Sequence, residues 1–193
     1  MSKSLDSPVP PPVLAAAQAR RSHSKVTEDA PSTAELERLL GAAGRVADHS
    51  ALHPWRVIAL RGEARARLGR ALADAAGLHG SGAASLAAKP MRAPLLIAVV
   101  SSPQPSHKVA EWEQEAVASG VAHMLSLLLH EAGWGVMWRT GPHTRSKAVA
   151  AMHGLAPGEK LLGWLYVGGI PDRLGSSHDK RAPLEHRLST LES

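Results

Sequence analysis

Residues Leu95-Leu96-Ile97-Ala98-Val99-Val100, introduced by Pro94, decide the fold. Six consecutive apolar residues are far too few to span a membrane but suit a strand. Apolar side chains on both faces mark that strand as central in its sheet. A long helical pattern follows over Val109–Ala132, with Val117, Val121, Met124, Leu125, Leu128 and Leu129 at helical spacing and Gly133 to close it. Trp134–Arg139 is the next strand. Thr144–Met152 is a short capped helix, Leu161–Val167 a further strand, and from Asp172 the chain is a polar tail. Upstream, Ser32-x-x-Glu35 is a capping box that starts a helix with the stripe Leu36, Leu39, Leu40 and Ala43, ended at Gly44. A strand Trp55–Leu60 follows Pro54, and Glu63–Ala76 carries Leu68, Leu72, Ala75 and Ala76 on one side. Residues 77–90, rich in Gly, Ala and Ser, read as a mobile loop. A short Ala-rich helix from Pro12 or Val13 to Arg20 precedes a polar loop, Ser22–Pro31. Four prolines up to Pro12 make residues 1–11 a disordered tail. The order α-α-β-α-β-α-β-α-β indicates a mixed α/β sandwich with one long helix against about four strands.

Composition narrows the chemistry. The chain has 193 residues, 44% apolar and 20% charged, which suits one globular domain. It has no cysteine, so disulfides, zinc-thiolate centres, iron–sulfur clusters and a cysteine nucleophile are excluded. There are five Trp, one Tyr and no Phe, so the core rests on aliphatic residues and tryptophan. The net charge of +5 suits nucleic acid or an anionic cofactor. Basic residues are scattered and no nucleic-acid motif occurs, which argues against a nucleic-acid partner. No apolar run is long enough for a membrane, and no secretory signal opens the chain, so the expected location is the cytoplasm.

Four clusters carry candidate chemistry. Arg20-Arg21-Ser22 offers two guanidiniums and a hydroxyl at a helix end, a donor set for phosphate, though such tripeptides are also common on solvated surfaces. Arg45-Val46-Ala47-Asp48-His49 leads to His53-Pro54-Trp55. His49 and His53 have metal-ligand spacing only on a helix, which Pro54 opposes, so a ligand-contacting loop is the better reading. His107, Glu111 and Glu115 share one helix face, where carboxylates complement the helix dipole and no metal is expected. Trp138-Arg139-Thr140-Gly141 ends a strand, a usual place for ligand groups. No Walker loop, Gly-x-Gly-x-x-Gly fingerprint or Gly-x-Ser-x-Gly elbow is present.

Taken in order, Arg20–Ser22, Arg45–Trp55, His107–Glu115, Trp138–Gly141 and Gly163–Gly168 resemble the nitroreductase family, and more narrowly its small NAD(P)H nitroreductases. The resemblance covers about residues 20–170. It implies an α+β fold, a three-layer α/β sandwich whose mixed, mostly antiparallel sheet is flanked by helices, in an intertwined homodimer. The FMN-binding domain spans 12–171, and residues 172–193 form a tail packing on the partner subunit. The cofactor is FMN, held at the subunit interface, with NADH or NADPH as reductant. Carried over block by block, the FMN contacts are Arg20, Arg21, Ser22, Arg45, His49, Trp138, Arg139 and Thr140. The segment Leu128, Leu129, His130, Glu131, Ala132 and Gly133 corresponds, more loosely, to a nicotinamide-nucleotide region.

The chemistry of these residues agrees with that cofactor. A dianionic phosphate suits Arg20, Ser22 and Arg139, and Arg21 is the candidate cation for the anionic reduced flavin near N1. No catalytic acid or base is required. The expected activity is NAD(P)H oxidation with reduction of a nitroaromatic, quinone or similar small-molecule acceptor in ping-pong order. The alternative is a non-catalytic FMN store or sensor. Two departures bear on the loop: Ala47 stands where the pattern has proline, and His53 where glutamine is frequent. The surplus of apolar residues on helix Val109–Ala132, with small Ala116 and Ala122 beside them, predicts a second buried face at a dimer interface that includes Leu125.

Overall fold

The computed structural model describes residues 12–172, 185 and 187–191; the tail 1–11 and most of 172–193 lie outside the described residues. Six helices and four strands follow in chain order: α1 (Pro12–Ala19), α2 (Thr33–Ala43), β1 (Trp55–Leu60), α3 (Glu63–Ala75), α4 (Gly80–Ala87), β2 (Leu95–Ser101), α5 (Glu111–Glu131), β3 (Trp134–Arg139), α6 (Lys147–His153) and β4 (Lys160–Gly169). The strands lie in the order β1-β2-β4-β3, and all three pairings are antiparallel.

β2 carries the architecture. Leu95, Ile97 and Val99 enter one core with Leu36 and Leu39 of α2 and Val121, Leu125 and Leu129 of α5. Leu96, Ala98 and Val100 enter a second core with Leu68 and Leu72 of α3, Leu86 of α4 and Val149 of α6. Alternate residues of one strand thus feed two cores, so the sheet is the middle layer of three. The β2–β4 register slips between Val99 and Val100, which accommodates Leu162 as an extra residue.

Several boundaries and one element differ from the sequence reading. The stretch 77–90 is not a loop throughout. Gly80–Ala87 forms α4, and Leu86 anchors it. Gly69 of α3 has no side chain, and a Cβ there would strike the Ala87 carbonyl, so α4 packs backbone-close on α3. Glycine lowers helix propensity, and here tertiary packing overrides it. The capping box is half made. Ser32 Oγ accepts the Glu35 N–H at 3.1 Å, but the Glu35 carboxylate accepts Trp134 Nε1–H at 2.8 Å instead of turning back. The helix expected at Thr144 starts at Lys147, after a 3₁₀ turn over Pro142–Arg145, and Ser146 caps it through Val149 N–H at 3.2 Å.

α5 also needs correction. Leu125 is fully buried inside its own chain, as are Val121, Ala122 and Leu129, so none of these forms an exterior face. The opposite side of α5 is the exposed one. Trp112 is 73% and Met124 38% exposed, with Ala116 and His123 also on the surface. Two apolar faces are present, and Met124 and Ala116 of the expected pattern do lie on the outer one, but Leu125 does not.

Candidate functional site

The Ser22–Pro31 loop is tied along the sheet. His23 N–H donates to the Val136 carbonyl at 2.9 Å, Thr27 N–H to the Gly169 carbonyl at 2.9 Å, and Gly169 N–H to the Asp29 carbonyl at 2.9 Å. Gly168 permits this, since a Cβ there would lie 2.6 Å from the Thr27 carbonyl oxygen. The pinning sets Arg20, Arg21 and Ser22 on the surface beside β3 and the end of α5. His23 is buried and stacks on His130 of α5 with ring centroids 6.0 Å apart. Burial first, and then the charges of His130, Arg21 and Arg20, hold the His23 pKa below its ordinary value. Burial, then Arg20, does the same for His130.

Trp138 lies against α5 midway, edge-on to His123 at 4.8 Å. Gly163 of β4 makes room: a Cβ there would meet Trp138 Nε1 at 2.5 Å and the Arg139 carbonyl at 2.6 Å. The next residue points to the opposite side of the sheet, because side chains alternate along a strand. There the Arg139 guanidinium sits 5.1 Å over the Tyr166 ring. Burial raises the Tyr166 pKa, opposed by the charges of Arg139 and Arg92.

Arg139 opens onto a cleft of about 350 Å³. Its polar lining is Lys89, Arg139, Thr140 and His143, and its apolar lining includes Leu72, Leu86, Met137, Trp164 and Tyr166. No carboxylate lines it. Arg139 Nε and Trp138 Nε1 are buried without a hydrogen-bond partner. Buried donors are normally satisfied, so these two point to a missing acceptor.

Arg45 and His49 lie elsewhere. Val46 would touch a Cβ at Gly120 of α5, and His49 Nδ1 is 3.6 Å from Glu113 Oε2 near the start of that helix. Glu113, His123 and His130 mark three stations along α5. His49 stands at the first, Trp138 at the second, ten residues on, and the Arg20–Ser22 arm at the third, seventeen residues on. At 1.5 Å per residue these are about 15 and about 26 Å from the first. One chain therefore brings Trp138, Arg139 and Thr140 together at the cleft but keeps Arg45 and His49 apart from them.

The segment Leu128–Gly133 is mixed in its exposure. Leu129 is fully buried, Leu128 packs against the same core, His130 faces His23, and Glu131, Ala132 and Gly133 are on the surface. His107 is not joined to its helix-face carboxylates. Glu111 and Glu115 instead take Lys160 at 3.1 and 3.4 Å, and Glu115 takes Arg145 at 3.2 Å. No group of three or more metal-binding side chains occurs among the described residues. Lys89 and His143 were missed by the sequence reading. Lys89 is the first charge after fourteen uncharged residues, 75–88, and stands before Pro90, which was the available signal.

Known proteins supply the remaining comparison. The family model described as "Nitroreductase family" matches residues 17–169. The Escherichia coli (strain K12) protein named "Putative NAD(P)H nitroreductase YdjA" is 36% identical over 152 residues, covering 77% of this chain and 83% of that protein. Among solved structures, a nitroreductase-like family protein from Bacillus cereus superposes with a TM-score of 0.80 at 21% identity, over 97% of this chain and all of that one. The FMN and NADPH-dependent nitroreductase NfnB from sphigopyxis sp. strain HMH has a TM-score of 0.72 at 17% identity, over 93% and 99% of the two chains. With its ordered motifs, its three layers and these matches in agreement, the chain belongs to the nitroreductase family.

Proposed function

We propose that the chain is an FMN-dependent NAD(P)H oxidoreductase that acts as a homodimer on nitroaromatic, quinone or similar small-molecule acceptors. The residues fit that cofactor. The cleft has apolar walls, cations from Lys89 and Arg139, no carboxylate, and the orphaned Arg139 Nε, while the orphaned Trp138 Nε1 lies on the α5 side of the sheet. Arg20, Arg21 and Ser22 supply phosphate-binding donors on the surface. FMN, held by these residues, would supply the redox chemistry between a nicotinamide reductant and the acceptor. The protein's part is to bind, orient and tune, through cations that favour an anionic ring, so no acid or base is assigned to the chain.

The observation that carries the reading is the spread of the family's site residues along α5. A two-fold axis near the middle of α5 lays the helix across its copy, in the isologous manner of C2 dimers. The Arg45–His49 loop of one protomer then approaches the Arg20–Ser22 arm of its partner. The exposed outer face of α5, with Trp112, Ala116, His123 and Met124, is the surface such a pairing would cover. The small residue at 116 allows close approach. Glu131 to Gly133 are the exposed part of the nucleotide segment and the part open to a nicotinamide nucleotide.

The test is steady-state NADH and NADPH oxidation by FMN-loaded protein with a quinone or nitroaromatic. Parallel double-reciprocal lines are expected, since the oxidised nucleotide leaves before the acceptor enters. Bound FMN with no oxidation under any acceptor would instead identify a flavin store or sensor.

A further inference from the structure

The turn between α2 and β1 holds three non-glycine residues in left-handed backbone: Ser50 at φ 67°, Ala51 at 49° and His53 at 47°. L side chains seldom adopt that region, and Ala51 has no polar side chain with which to compensate. His53 is constrained twice, because the residue before a proline is pushed towards extended backbone. Such a conformation persists only where the surroundings enforce it.

Asp48 supplies the enforcement. Its Oδ2 accepts the His53 backbone N–H at 2.7 Å and lies 3.6 Å from His53 Nδ1. Its carbonyl accepts Ala51 N–H at 3.0 Å. Downstream, the Pro54 carbonyl is fixed by Ser102 N–H at 2.9 Å. The carboxylate is sheltered, with 10% of its side chain exposed, while the imidazoles on the turn are open, His53 at 70% and His49 at 58%. A turn that served only to join α2 to β1 would be more stable with glycine at these positions. Ala47 precedes this turn where the family pattern has proline, so no ring fixes the backbone there and the Asp48 hydrogen bond supplies the rigidity.

We propose that Asp48 is a positioning residue whose carboxylate locks residues 49–53 in a strained left-handed turn, presenting His49 to the flavin of the site a second copy completes. The proposal rests on the dimeric FMN reading above. On that reading His49 is the cofactor-side contact, and His53 is the residue through which Asp48 holds the turn.

Ala51→Gly tests it by removing the left-handed penalty and loosening the turn. The thermal midpoint then rises by about a few degrees, while FMN affinity falls about tenfold and KM for 4-nitrobenzoate rises more than kcat falls. FMN affinity is read by titrating the apoprotein with FMN and following fluorescence. Asp48→Ala shows the same loss of affinity, and Asp48→Asn, which keeps an oxygen for the His53 N–H, restores most of it. A wild-type chain that takes up no FMN sinks the cofactor reading itself. Where the wild type binds FMN, an Ala51→Gly chain with a raised midpoint and unchanged affinity and KM overturns the positioning role. A midpoint that does not rise overturns the strain, and equal loss in Asp48→Asn and Asp48→Ala overturns the part given to the hydrogen bond.

Discussion

Arg20 and Arg56 show how differently two guanidiniums serve this molecule. Arg20 is exposed at the end of α1 beside the His23–His130 stack. Arg20→Ala should weaken FMN binding by about 1.5–3 kcal/mol, the scale of a charge-assisted hydrogen bond. Equal FMN affinity in titrations of the two proteins would refute its phosphate role. Arg56 instead forms a bidentate pair with Glu159, Nε and Nη2 each donating at 2.7 Å. That pairing lowers the Glu159 pKa from 4.5 to about 2. A carboxyl with a depressed folded pKa contributes stability that is present above its unfolded pKa and is lost as pH falls from about 4.5 towards 2. Arg56 is 38% exposed, so Glu159→Gln should cost about 1–2 kcal/mol at pH 7. Denaturant midpoints of the two proteins should converge as pH falls towards 2; a constant gap would contradict the pairing. The ordered motif residues were legible because cations, glycines and tryptophans are distinctive at fixed gaps. Lys89 was not, because a single lysine in a Gly/Ala-rich stretch signals nothing until α4 folds it over the cleft.

Among the elements, α5 decides most. Its length and its double apolar character are visible in the sequence, but spacing alone does not say which face meets the sheet. Val121, Leu125 and Leu129 turned inward, so a charge at Leu125 would break the core and report nothing about assembly. Met124→Glu is the informative change. It places a carboxylate on the outer face, and the protein should become monomeric and lose FMN while keeping its far-UV helix signal. A Met124→Glu dimer with bound FMN would remove α5 from the interface. Gly163→Ala probes the β3–β4 contact. The added methyl would collide with Trp138 Nε1 and the Arg139 carbonyl, and overpacking of that kind costs about 1–3 kcal/mol. A thermal midpoint equal to wild type would show that the strand pair yields without cost. The strands themselves were read within a residue or two, since β-branched and aromatic runs bounded by proline and glycine leave little ambiguity. α4 escaped because its propensity is poor and its stability comes from packing on Gly69.

At the scale of the whole molecule, the buried His23 and His153 and the half-buried His130 couple folding to pH. Burial is the main cause that lowers the pKa values of His23, His130 and His153. The His153 ring Nδ1 contacts the Val149 carbonyl at 2.8 Å, and its Nε2 accepts Trp164 Nε1–H at 3.0 Å, an arrangement that requires the neutral ring. With folded pKa values below the unfolded value of 6.5, the unfolded chain binds more protons just under that pH. Stability is therefore full above about pH 6.5 and declines as pH falls below it. Urea midpoints at pH 7.5 and 5.5 check this, and equal midpoints would contradict it. Three layers and a central β2 follow from sequence pattern, but a site divided between copies does not, because one chain's periodicity carries no symmetry operator. The central claim is that two chains complete one flavin site. Sedimentation equilibrium of the purified protein, recorded in the visible flavin band, tests it most directly. The account predicts a flavin-bearing species near twice 20.3 kDa with one FMN per chain, and a 20.3 kDa monomer carrying stoichiometric FMN would contradict it.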